Sequence, residues 1–94
     1  MNVYLISYDL SAPDTREHYQ RLIDQIKSYD SWAKPLESLW LIRTSKSLTV
    51  VRDDLKQYVL ANDKLFLIDV SQRFWAFSNI GDAVVQWVRA NILP

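Results

Sequence analysis

The chain has 94 residues, enough for one domain with one core, and 49% of them are hydrophobic, including four Trp, five Tyr and three Phe, so it is a folding sequence rather than a disordered one. Lys and Arg balance Asp and Glu at 11 each, six against six through Ser47 and five against five after it, with no basic arm that would mark a nucleic-acid binder. With no Cys, one His and one Gly, the sequence excludes disulfides, thiolate chemistry, a single-chain zinc site and Gly-rich phosphate loops, leaving oxygen ligation of hard cations such as Mg2+ or Mn2+.

The first predicted element is a strand over about Val3 to Tyr8, "VYLISY", ending at Asp9. "SAPD" breaks it, and Pro13, Asp14 and Glu17 give a helix start of the capping-box kind. Tyr19, Leu22, Ile23 and Ile26 then recur at helical spacing, which predicts a first helix to about Tyr29. Two short strands follow: Ser31 to Leu36, which Pro35 restricts to a sheet edge, and Ser38 to Thr44, bulky enough to be central.

Ser47 is the expected cap of a second helix whose Leu48, Val51, Leu55, Tyr58 and Val59 share a face. "AND" turns the chain into a fourth strand, Lys64 to Ser71, and the aromatic linker "QRFWAFSN" leads to a last helix from about Ile80. Ile80, Val84, Trp87, Val88 and Ile92 form the apolar stripe of that helix, and Pro94 closes the chain. No apolar run approaches a membrane span and no basic leader precedes the first strand, so the expected compartment is the cytoplasm, with no membrane partner.

This order predicts an α+β protein: a ferredoxin-like β-α-β-β-α-β core over residues 1–71, with an antiparallel sheet of order 4-1-3-2, and an added C-terminal linker and helix over 72–94. Helices on one face leave the other bare. A bare apolar face predicts a homodimer unless the third helix covers it.

The topology carries Glu37, Ser38, Asp63 and Lys64 to the same rim as Asp9, and puts Arg43 and Asp69 at the opposite one. Asp9 then has two readings, a side chain that caps the turn after its strand or a member of an acid cluster that needs a cation or a lysine. Glu37 and Asp63 read as solvated loop acids, and His18 as a boundary residue of the first helix. Phe74, Trp75 and Phe77 are either a stacking platform for single-stranded bases or, the preferred reading because only Arg73 accompanies them, a plug beneath the third helix or a dimer contact. Trp32, Trp40 and Trp87 read as core or interface.

"YLISYDLSAPDTREHYQRLIDQI" followed by "LESLWLIRT" resembles the Cas-two family of CRISPR-associated proteins over roughly Met1 to Ser71. Tyr8, Asp9 and Leu10 are similar to that family's first-strand ending, Arg16 to its helix arginine and Ser38 to its hairpin serine; VapD-type toxin ribonucleases look alike at the same level. The hairpin strand departs from the family's usual Val-Phe-Glu ending, reading Leu39, Trp40, Leu41, Ile42, Arg43. The resemblance implies a homodimer with two copies of Asp9 facing each other across the axis. It implies either a Mg2+- or Mn2+-dependent endonuclease, acting on RNA or DNA with Asp9 as metal ligand and Ser38 beside the phosphate, or a non-catalytic scaffold or adaptor in a CRISPR, phage-defence or toxin-antitoxin setting. Nucleic acid and a protein are the partners these two alternatives entail.

Overall fold

The computed structural model describes residues 1–11, 16–72 and 74–92, and for Arg16 and His18 the backbone alone. Its elements are β1 (Asn2–Asp9), α1 (Arg16–Lys27), β2 (Ser31–Leu36), β3 (Leu39–Thr44), α2 (Leu48–Lys56), β4 (Lys64–Asp69) and α3 (Asp82–Asn91). The four strands form one antiparallel sheet of order β2-β3-β1-β4, which is the expected order read from the other edge. The helix-start residues Pro13 and Asp14, the side chains of Arg16 and His18, and Arg73 and Pro94 lie outside the described residues.

β1 is central because both its faces are apolar. Tyr4, Ile6 and Tyr8 point to one side, where they meet Leu22, Ile23 and Ile26 of α1, Val51 and Leu55 of α2, and Trp40 and Ile42 of β3 in the main core. Ser47 caps α2 as its position suggests, its Oγ accepting from the Val50 N–H at 3.3 Å. α1 stops at Lys27, short of Tyr29, and Ser28 folds back with both its N–H and its hydroxyl donating to the Gln25 carbonyl. Tyr29 is nevertheless buried, its hydroxyl donating to Asp54 at 2.9 Å.

The other face of the sheet, here the outer face, carries Val3, Leu5, Ser7 and Asp9 of β1, flanked in register by Leu39, Leu41 and Arg43 of β3 and by Lys64, Phe66 and Ile68 of β4. α3 lies on part of it. Val3, Leu41 and Ile92 are buried together, with Trp75, Trp87 and Val88 packed around them, and the Trp87 indole N–H donates to Ser31 Oγ at 2.6 Å. The third helix thus meets the condition set for it over the β2–β3 half of the face. Over the β4 half Phe66 and Ile68 stay 61% and 45% exposed. Among the described residues no helix is long and apolar enough to cross a membrane.

Candidate functional site

Asp9 ends β1 with its side chain exposed on the outer face. Across the ladder its Cα partner is Lys64. On the other flank the paired register ends at Ser7 and Leu39, and its continuation brings Glu37 level with Asp9. Glu37 and Ser38 are the exposed turn residues of the β2–β3 hairpin, which puts the start of β3 one residue later than the sequence suggests. Backbone geometry therefore gathers Asp9, Glu37, Ser38, Asp63 and Lys64 on one rim. Arg43, in register with Val3, and Asp69, in register with Tyr4, fall at the other end.

Asp63 and Asp9 divide the labour at that rim. Asp63 Oδ1 accepts from both the N–H and the hydroxyl of Ser11 at 2.8 Å, and its Oδ2 accepts from the Leu60 N–H at 2.6 Å. It therefore ties the loop leaving β1 to the loop entering β4, the turn-capping work that is one of the two readings of Asp9. Among the described residues no hydrogen bond or ion pair engages the Asp9 carboxylate. Glu37 and Ser38 are exposed, as solvated turn residues are.

Behind the rim, the Trp40 indole N–H donates to the Tyr8 hydroxyl at 3.1 Å, and the Tyr8 and Tyr19 hydroxyls lie 3.4 Å apart with their rings edge-on. Burial, and then the hydrogen bond with Tyr19, push Tyr8 up to about 12, and the negative charge of Glu37 adds to the rise. Tyr8 is thus a neutral hydrogen-bonding post near physiological pH, not a proton carrier. Among the described residues no group of three or more His, Asp or Glu is placed to hold a metal ion. What one chain offers a hard cation at this rim is the carboxylates of Asp9 and Glu37 and hydroxyl oxygen from Ser38, beside the ammonium-bearing Lys64.

The aromatic linker divides. Trp75 packs against the outer-face core, stacked on Phe77 at a ring distance of 6.1 Å, in keeping with a plug beneath α3. Phe74 is 93% exposed. Between this linker, α3 and the sheet runs an apolar groove of about 400 Å³ lined by residues that include Leu5, Leu39, Leu41, Phe77 and Val88. Of the tryptophans, Trp40 is buried, Trp32 packs against it with the rings tilted by 58° at 5.4 Å and the Lys27 ammonium over it, and Trp87 anchors α3.

Fold and rim together define a small α+β protein with a four-stranded antiparallel sheet and three helices among its described residues. No family model matches the chain, and no solved structure matches it significantly. Sequence reasoning passed over the exposed pair Phe66 and Ile68. Their signal lies in "KLFLID", where apolar residues occupy both alternating sets in a strand that topology places at an edge.

Proposed function

We propose that the chain is a homodimeric scaffold or adaptor module of ferredoxin-like, Cas-two-like type, working in the cytoplasm in a CRISPR, phage-defence or toxin-antitoxin setting. The observation that carries this reading is the half-covered outer face, where Phe66 and Ile68 remain exposed beside the end of the sheet that α3 leaves open. Exposed aromatic and branched side chains on one strand face mark an association surface, and a net charge of zero puts no repulsion in the way of a second copy. The balanced charge also favours a protein-facing role over a nucleic-acid one. Sedimentation velocity on the purified chain at micromolar concentration tests the reading: a dimer is expected, and a monomer overturns it.

A second reading, a divalent-metal-dependent endonuclease acting on RNA or DNA, is favoured by the exposed and unengaged carboxylate of Asp9. Mg2+ is commonly held by one or two carboxylates together with substrate phosphate and water, so the hard oxygen donors of Asp9, doubled across a dimer, fit Mg2+ or Mn2+. Ser38 would hydrogen-bond the phosphate. Such an ion polarises a phosphodiester and lowers the pKa of bound water. Against this reading, Lys64 sits in register with Asp9 and puts a competing positive charge on the same rim. Incubating the protein with RNA or DNA and Mg2+ or Mn2+ decides it: cleavage that disappears in Asp9→Ala supports the enzyme, whereas no cleavage, or cleavage unchanged by the substitution, leaves the scaffold.

A further inference from the structure

The two edges of the sheet are built differently. β2 carries Lys34 and Pro35, its register with β3 breaks between Ala33 and Leu36, and α3 packs against it. A proline lacks the N–H a ladder needs, and a bulge and a lysine also block pairing, so this edge is closed to another strand. β4 has neither the proline nor the bulge, and its one lysine, Lys64, is its first residue. Its register with β1 is unbroken from Lys64 to Asp69, it contains no proline, and its two charged residues stand at its ends.

The hydrogen-bonding groups of β4 are aimed outward at known positions. The Val70 N–H donates to the Val3 carbonyl at 2.9 Å, so even-numbered residues turn their peptide groups toward β1. Leu65 and Leu67 then turn theirs to the open side, where no hydrogen bond to another described residue meets them.

We infer that β4 pairs antiparallel with β4 of a second copy, about a two-fold axis normal to the sheet that passes midway between Leu67 and its counterpart, and joins the two sheets into one. This inference rests on the homodimer of the proposed function and specifies how it is built. An axis normal to the sheet keeps outer face with outer face, so opposed residues must share parity, and the centre is Phe66 or Leu67. Centred on Leu67, the pairing lets Leu67 and its counterpart exchange both hydrogen bonds. It sets Phe66 opposite the partner's Ile68, twice by symmetry, and apolar cross-strand pairs of this kind are what stabilise a sheet face. Centred on Phe66, it would press the Lys64 ammonium against the partner's Ile68.

Charge favours the same register. On the helix side Arg52 of α2 lines the surface beside Leu65, and the Leu67-centred pairing brings the partner's Asp69 opposite Leu65. Arg52 already pairs with Asp53 at 3.0 Å and Asp69 accepts from Ser71, so this juxtaposition extends existing charge networks on each side of the axis and sets no like charges against each other. The pairing also holds the two Asp9 residues about 25 Å apart, from three residues of rise along each strand and the strand spacing across the sheet. That is far beyond the separation at which two carboxylates share one ion.

The chain contains no cysteine, which makes cross-linking a clean test. The double variant Phe66→Cys/Ile68→Cys is expected to form a covalent dimer under mild oxidation, and Phe66→Cys alone is not, because the diagonal separation exceeds disulfide reach. Phe66→Lys, on an exposed position, is expected to raise the dimer dissociation constant at least about tenfold with the circular dichroism spectrum unchanged. Ready cross-linking of Phe66→Cys alone overturns the Leu67 register. A dimer in sedimentation that resists both the double cysteine and Phe66→Lys overturns edge pairing and leaves a face-to-face homodimer standing. A monomer overturns the inference and the homodimer together.

Discussion

At the scale of single residues, two aspartates on one rim have opposite obligations. Asp63 accepts hydrogen bonds from two loops, so Asp63→Ala unties the Ser11 and Leu60 loops, leaves their exposed amides to water and is expected to cost about 1–2 kcal/mol, with a fall in Tm of about 4–8 °C per kcal/mol. Asp9→Ala removes no such bond and is expected to stay within about 0.5 kcal/mol of the parent in the same thermal melt. The buried phenols give a second expectation. Tyr8 and Tyr29 are both pushed up from 10.0 to about 12, first by burial, with Tyr19 adding to the rise at Tyr8 and the Asp54 carboxylate adding to it at Tyr29. Below pH 10 folded and unfolded chains both hold these protons, and stability does not depend on them. As pH climbs from 10 toward 12 the unfolded chain releases them first, so stability falls. Urea midpoints across that window should show the loss, and Tyr29→Phe should make it shallower.

At the scale of elements, the strands and helices were legible because their patterns are local. Val51 and Leu55 repeat at helical spacing and are fully buried, Ser47 stands where a cap must, and Pro35 announces an edge strand. The misplaced ends have local causes that compete with pattern: α1 ends early because Ser28 turns back on Gln25, although the apolar stripe runs on to Tyr29. α3 begins at Asp82, two residues after the expected Ile80. Just before it Asn79 adopts a φ of 59°, the positive-φ non-glycine residue among the described ones, and so turns the linker toward the helix. Asn79→Gly should leave stability equal or slightly higher, while a β-branched Asn79→Val should cost about 1–2 kcal/mol, read by thermal melting. Asn tolerates this conformation and Val does not.

At the scale of the whole molecule, legibility fades, because contacts between distant segments follow from three-dimensional competition that spacing does not record. Topology did bring Asp9, Glu37, Ser38, Asp63 and Lys64 to one rim, since strand order alone decides which ends adjoin. Which acid caps the turn was not legible: the sequence offers Asp9 for the cap and reads Asp63 as a solvated loop acid, and the fold corrects the second reading by placing Asp63 within reach of Ser11 and Leu60. How far α3 would reach was equally hidden, because its apolar stripe says that it packs without saying over which strands. The guarded strand β2 has a consequence for the size to which assemblies can grow. A sheet that can be extended on both sides polymerises, whereas one with a single usable side terminates after one addition, so under the edge pairing inferred above Lys34, Pro35 and the bulge would act as a chain stopper that limits assembly to finite particles. Lys34→Val combined with Pro35→Val weakens that stop, the register break and α3 remaining, and the expected outcome is larger species in sedimentation velocity, where the parent protein gives a single sedimenting species.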